Sequence, residues 1–151
     1  MTTWFEDISV GDRIECGEHE VTREEVLEFA RKYDPQPFHL DDEAAAKTPF
    51  GRIAASGWHT GAMVMRLIVD CWTEKKLMGV GSPGLDELRW LKPVYPGDTI
   101  RVSSEVVDMR PSRSRPERGT LWTDVFVHNQ HNELVMRYRS IVMVMRRPSG
   151  D

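Results

Sequence analysis

Two side chains able to move protons, Asp34 and His39, stand five positions apart in Asp34-Pro35-Gln36-Pro37-Phe38-His39. Each proline fixes its own φ and pushes the residue before it, Asp34 or Gln36, out of the α region. The segment is therefore stiff and non-helical, able to hold a carboxylate and an imidazole in one geometry. Acid–base catalysis needs position first and matched pKa values second. A capped helix end followed by an ordinary loop histidine is the alternative. A second stretch, Ile53-Ala54-Ala55-Ser56-Gly57-Trp58-His59-Thr60, opens the longest apolar helical pattern in the chain. A glycine at such a helix start lets a ligand approach unpaired backbone N–H groups, which favour developing negative charge. Asp34, His39 and Gly57 are thus the candidate catalytic groups: a proton-transfer pair and an oxyanion-stabilising amide.

The elements that must position them read as follows. Val10-Gly11-Asp12 is a turn signal, and Arg13 to Val21 can form a first strand around Ile14 and Cys16. Thr22-x-x-Glu25 is a capping box flanked by Val21 and Val26 as a hydrophobic staple. Val26, Phe29, Ala30 and Tyr33 recur at helical spacing, so the sequence predicts a helix over Thr22 to Tyr33, stopped by Pro35. That delivers Asp34 to the helix end. Asp41 or Asp42 can cap a short helix through Ala44, Ala45 and Ala46, and Lys47 to Gly51 is either a pocket rim or a connector. Gly57 to Trp72 is apolar on almost every face, as a buried helix is, with Arg66 and Asp70 on its one polar edge. Gly79 to Gly84 reads as a flexible connector. Leu85 to Leu91, Thr99 to Met109, Leu121 to Asn129 and Leu134 to Met145 are strand-like, the last two joined by the polar turn Asn129 to Asn132. Strand, helices and then a run of antiparallel strands indicate an α+β fold.

Composition removes several function classes. The 151 residues suit one domain, residues 1–151, and a net charge of −4 argues against a nucleic-acid binder. No apolar stretch is long enough to span a membrane, and the acidic start, with Glu6, Asp7 and Asp12, lacks a signal-peptide layout. Cys16 and Cys71 are too few for a disulfide framework or a zinc site, and they fit a reducing cytoplasm. His128 and His131 have no partner at metal-ligand spacing, so no metal is expected.

The pattern Asp34-x-Gln36-Pro37-x-His39-x-Asp41, then Ala45/Ala46, Phe50-Gly51 and Ile53-Ala54-x-x-Gly57, resembles the MaoC-like dehydratases and (R)-specific enoyl-CoA hydratases. Leu88-Arg89-Trp90-Leu91-Lys92-Pro93-Val94-x-x-Gly97-Asp98-Thr99 is similar to the strand and turn that follow that family's central helix. The resemblance implies the hotdog fold, a curved antiparallel sheet wrapped around a long helix. It implies an acyl-CoA thioester substrate, with coenzyme A carried by the substrate and no other cofactor, and a homodimer or higher homo-oligomer. Asp34 and His39 would share a water, either serving as base, and the Gly57 amide would hold the thioester oxygen. Gln36, Phe38, Ser56, Trp58, His59, Thr60 and Arg89 are candidate substrate contacts, although His59 also reads as a buried structural histidine. Arg113 and Arg115 belong to an arginine-rich loop, Arg110 to Arg118, which suits coenzyme A phosphates or a solvated loop tip.

Two positions depart from the hydratase pattern. Gln36 replaces a common asparagine, and Met65 falls where those enzymes often carry a serine. A thioesterase of the same fold and a non-catalytic acyl-CoA binding module are the competing readings, and the Asp34/His39 pair favours the hydratase over both.

Overall fold

The computed structural model describes residues 1–150. The elements run β1 (Arg13–Glu20), α1 (Arg23–Tyr33), α2 (Asp42–Ala46), α3 (Gly57–Glu74), β2 (Gly79–Trp90), β3 (Thr99–Pro111), β4 (Arg118–His128) and β5 (Leu134–Met145). Successive hairpins place β3, β4 and β5 side by side, and β1 and β2 take the two edges of an antiparallel sheet ordered β1-β3-β4-β5-β2. Met63, Val64 and Ile68 of α3 share one buried cluster with Val102, Val125, Val127 and Tyr138 of the sheet. This is the α+β hotdog arrangement, a sheet packed around one central helix.

Local chemistry fixes the helix that carries Asp34. Thr22 Oγ1 accepts from the Glu25 amide at 3.2 Å while a Glu25 carboxylate oxygen accepts from the Thr22 amide at 2.9 Å, so the capping box is closed. Val21 and Val26 on either side of the cap are both buried. At the other end the Asp34 amide still donates to Ala30 O at 2.9 Å, but Asp34 itself has left the helical region, at φ −148° and ψ 66°. Pro35 enforces that exit. The short α2 starts as expected, with Asp41 accepting from the Ala44 amide at 3.0 Å.

Two expectations are corrected. Gly79 to Gly84 is not a connector but the first half of β2, paired with β5 through Val144, Met143 and Ile141. Pairing to a long neighbour overrides the turn-like composition. The register shifts between Gly79 and Gly81 and between Gly81 and Gly84 absorb it, and an edge position tolerates Pro83. Nor is α3 covered all round: Trp58 is 66 %, Met65 41 % and Val69 43 % exposed in the single chain. The Arg66–Asp70 pair lies on the exposed side as expected, at 3.1 Å. No helix among the described residues is long and apolar enough to cross a membrane.

Candidate active site

Asp34 and His39 converge. After Asp34 the two prolines carry the chain into a single 3-10 turn, Pro37–His39, in which the His39 amide donates to Gln36 O at 2.9 Å. This folds the imidazole back toward the end of α1, leaving His39 Nε2 3.3 Å from Asp34 Oδ2. His39 is 5 % exposed, with its ring against Phe38 at 4.5 Å and Phe38 in turn against Phe50 at 5.7 Å.

The proton on His39 can be placed. Its Nδ1 lies 2.7 Å from Ala54 O. A carbonyl oxygen only accepts, so Nδ1 carries the hydrogen and a neutral imidazole turns its bare Nε2 toward Asp34. Asp34 is held ionised by its surroundings. Burial by itself would raise its pKa, but the Gln36 amide, the Ser56 hydroxyl and His39 together outweigh burial and hold the carboxyl below its usual range. Gln36 Nε2 donates to Asp34 Oδ1 at 2.6 Å. Ser56 Oγ is buried without a partner at ordinary hydrogen-bond distance, and its influence on Asp34 is exerted from beyond that range.

Gly57 stands on the same cavity, one of about 450 Å³ whose wall includes Asp34, His39, Ser56, Gly57, Trp58 and Thr60. Ala55 N donates to Val94 O at 2.8 Å, which pins the segment leading into α3. The glycine is required sterically. A Cβ at Gly57 would lie 2.6 Å from Trp90 Cε2, because the indole rests on it and donates from Nε1 to Gly57 O at 2.9 Å. Trp90 also meets Trp58 edge-on at 5.1 Å. The sequence reading missed this indole as a site residue. Its only signal was an aromatic directly following Arg89 in the second motif. Phe50 on the cavity wall makes the Lys47 to Gly51 segment a rim, held by the Tyr95 hydroxyl donating to Phe50 O at 2.7 Å.

Other candidates lie elsewhere. Gln36 and Phe38 act on Asp34 and His39 rather than lining the cavity. His59 lines a different cavity, beside Glu25 and Arg66. Arg89 is exposed and donates to the neighbouring Leu88 O at 2.9 Å. Arg113 and Arg115 sit in the β3–β4 loop at the Met145 end of the sheet, whereas Trp90 pairs with Met136 at the other. That interval of strand spans about 30 Å, so within one chain the arginine loop is not at the mouth of this cavity. Met65 is exposed and outside the cavity wall, so its departure from the hydratase pattern does not alter the residues around Asp34.

Known proteins share the sequence and fold of this chain over nearly its whole length. The solved structure of a MaoC-like dehydratase from Rhodospirillum rubrum is similar to this chain at 42 % identity, covering 97 % of this chain and 99 % of that one, with a TM-score of 0.89. The 3-hydroxybutyryl-CoA dehydratase of Methylorubrum extorquens is 32 % identical over 98 % of this chain and 88 % of its own length. The unliganded structure of an R-hydratase from Pseudomonas aeruginosa is 27 % identical, covering 95 % of this chain and 86 % of that one, with a TM-score of 0.73. Residues 9–125 match the MaoC like domain, and the chain belongs to that family of hydratase and dehydratase domains.

Proposed function

We propose that this chain adds water to, or removes it from, the Cα–Cβ bond of an enoyl thioester of coenzyme A, with (R) stereochemistry. The observation that carries the reading is the approach of His39 Nε2 to Asp34 Oδ2 at 3.3 Å, with Nδ1 committed to Ala54 O, beside the Gly57 amide. With the imidazole neutral, Nε2 and the Asp34 carboxylate both accept, and one water can donate to each. Held this way, the water presents its oxygen lone pairs to Cβ. One member of the pair takes a water proton as the C–O bond forms, and the pair returns a proton to Cα. Between those events the negative charge resides on the thioester oxygen, which accepts a hydrogen bond from the Gly57 N–H at the start of α3. A donor of this kind lowers the barrier by about 2.7–4 kcal/mol.

The dehydratase and R-hydratase relatives support the substrate class. We further propose that two copies associate across the exposed edge strand β2, where Val80, Leu85 and Trp90 are left in solvent, and that the protein works in a reducing cytoplasm, where its free cysteines persist.

The test is hydration of crotonyl-CoA and branched enoyl-CoAs, read as loss of the conjugated thioester absorbance. Asp34→Ala and His39→Ala should each lower turnover at least about 100-fold with unchanged circular dichroism. Full activity in either variant removes the mechanism, and release of free thiol in place of hydration would assign a thioesterase.

A further inference from the structure

The two halves of the site ride on different elements. Asp34 ends α1 and Gly57 begins α3, so some contact must fix one helix against the other. His59, two residues after Gly57, makes that contact. Its ring is 6 % exposed and stacks on Phe29 of α1 at 4.9 Å and 13°. Its Nε2 lies 3.5 Å from Glu25 Oε1. Glu25 is itself immobilised, accepting from the Thr22 amide at 2.9 Å, the Thr22 hydroxyl at 3.0 Å and His19 Nε2 at 2.9 Å. His59 Nδ1 is buried with no partner.

That pattern defines the role. The Glu25 oxygen facing Nε2 can only accept and Nδ1 has no partner, an arrangement that favours the His59 hydrogen on Nε2. A second proton on the ring would create a buried donor with no acceptor. Burial in turn holds the His59 pKa below its ordinary value, against the pull of Glu25. The cavity on this side, lined by Glu18, His19, Glu25, Arg66 and Asp70 as well as His59, shares no wall residue with the cavity that holds Asp34 and His39. His59 is therefore no proton carrier for the reaction.

We propose that His59 is a positioning residue, whose stack on Phe29 and contact with Glu25 set the first turn of α3 on α1 and so place the Gly57 amide relative to Asp34. Its kinetic consequence rests on the hydratase reading, whereas its structural consequence does not.

The experiment uses both. Long-range proton–nitrogen spectra at neutral pH should find His59 protonated on Nε2 alone. His59→Phe, which keeps a ring but has no donor, should shift the Gly57 amide resonance and lower kcat on crotonyl-CoA about tenfold or more, with KM within about threefold. His59→Gln, whose amide nitrogen can reach Glu25, should restore both. Glu25→Gln has a single acceptor oxygen; with that oxygen on the Thr22 cap it turns an amide donor toward His59, so it should lower kcat as His59→Phe does while keeping the cap stability that Glu25→Ala loses. Wild-type kcat in His59→Phe, equal damage in His59→Gln, or a hydrogen on Nδ1 overturns the proposal. Should His59→Phe fail to fold, the tautomer and the kcat of Glu25→Gln decide, wild-type turnover in Glu25→Gln overturning the proposal. Should wild type hydrate no enoyl thioester, the hydratase reading falls alone, and an unmoved Gly57 amide would still end the positioning role.

Discussion

Gly57→Ala probes the site through one methyl group. The new Cβ would stand 2.6 Å from Trp90 Cε2 and 2.9 Å from its Nε1. Ordinary contact begins near 3.4 Å, so the indole must withdraw by roughly 0.8 Å. Trp90 is 42 % exposed and has room to tilt. Tilting breaks its bond to Gly57 O, worth about 1 kcal/mol, and loosens the edge contact with Trp58, worth about 0.5–1.5 kcal/mol. Alanine's better helix propensity returns a fraction of about 1 kcal/mol at this first position. The net expected loss is about 1–2 kcal/mol, or a fall in Tm of roughly 2–8 °C for a chain of this size. Turnover should fall about tenfold or more, because the wall beside the oxyanion amide has moved. Trp90→Ala removes the obstacle, so Gly57→Ala in that background should cost clearly less than in wild type, with a coupling of about 1 kcal/mol. The assays are thermal unfolding and crotonyl-CoA hydration on the four proteins of the cycle. Additive losses, or a Gly57→Ala variant with wild-type melting and turnover, would refute the packing of Trp90 on Gly57.

Asp34 should show its lowered pKa in the stability of the protein. A depressed carboxyl contributes stability that is present above its unfolded pKa of about 3.9 and lost as pH falls through the native value. Wild type minus Asp34→Asn, measured by urea unfolding, should therefore be flat above about pH 5 and shrink below about pH 4; a difference constant to low pH contradicts the lowered value. Thr22→Ala opens the capping box and should cost about 1 kcal/mol, read by the same unfolding curves, while leaving KM unchanged. Leu85→Lys puts a charge in the exposed edge of β2 and should shift the assembly toward monomer in sedimentation equilibrium; an unaltered dimer would move the interface elsewhere.

What could be seen in the sequence was what local rules control. The Thr22–Glu25 cap, the stop at Pro35, the Asp41 cap and the β5 limits Leu134–Met145 all follow from residues within a few positions of one another, and all are observed. The Asp34/His39 pair was legible for the same reason, since two prolines stiffen the five peptide links from Asp34 to His39. The misses are contacts between distant segments. Gly79–Gly84 became a strand because β5 offered it a ladder. Trp90 settled on Gly57 across 33 positions of sequence. Ala54 O, 15 residues from His39, chose the imidazole tautomer. A carbonyl leaves no trace in residue type, so no reading of the sequence could have named it.

That carbonyl nevertheless decides what the pair can do. With Nδ1–H committed to Ala54, only Nε2 of His39 can exchange a proton, and it faces a carboxylate that the Gln36 amide and the Ser56 hydroxyl help to keep ionised. A neutral imidazole in that tautomer cannot donate to Asp34, and Asp34 cannot donate to it. The pair is not arranged to satisfy itself. Asp34 Oδ1 takes the Gln36 amide, so Oδ2 and the His39 Nε2 are the atoms left to receive hydrogens from a third molecule, and the wall they share with Gly57 is where that molecule and the thioester oxygen would stand together. The same two acceptors placed on a flexible loop would swing apart to find solvent. Here the helix end, the two prolines and the buried ring hold them at 3.3 Å, so the preference for a doubly donating water is built in before substrate arrives.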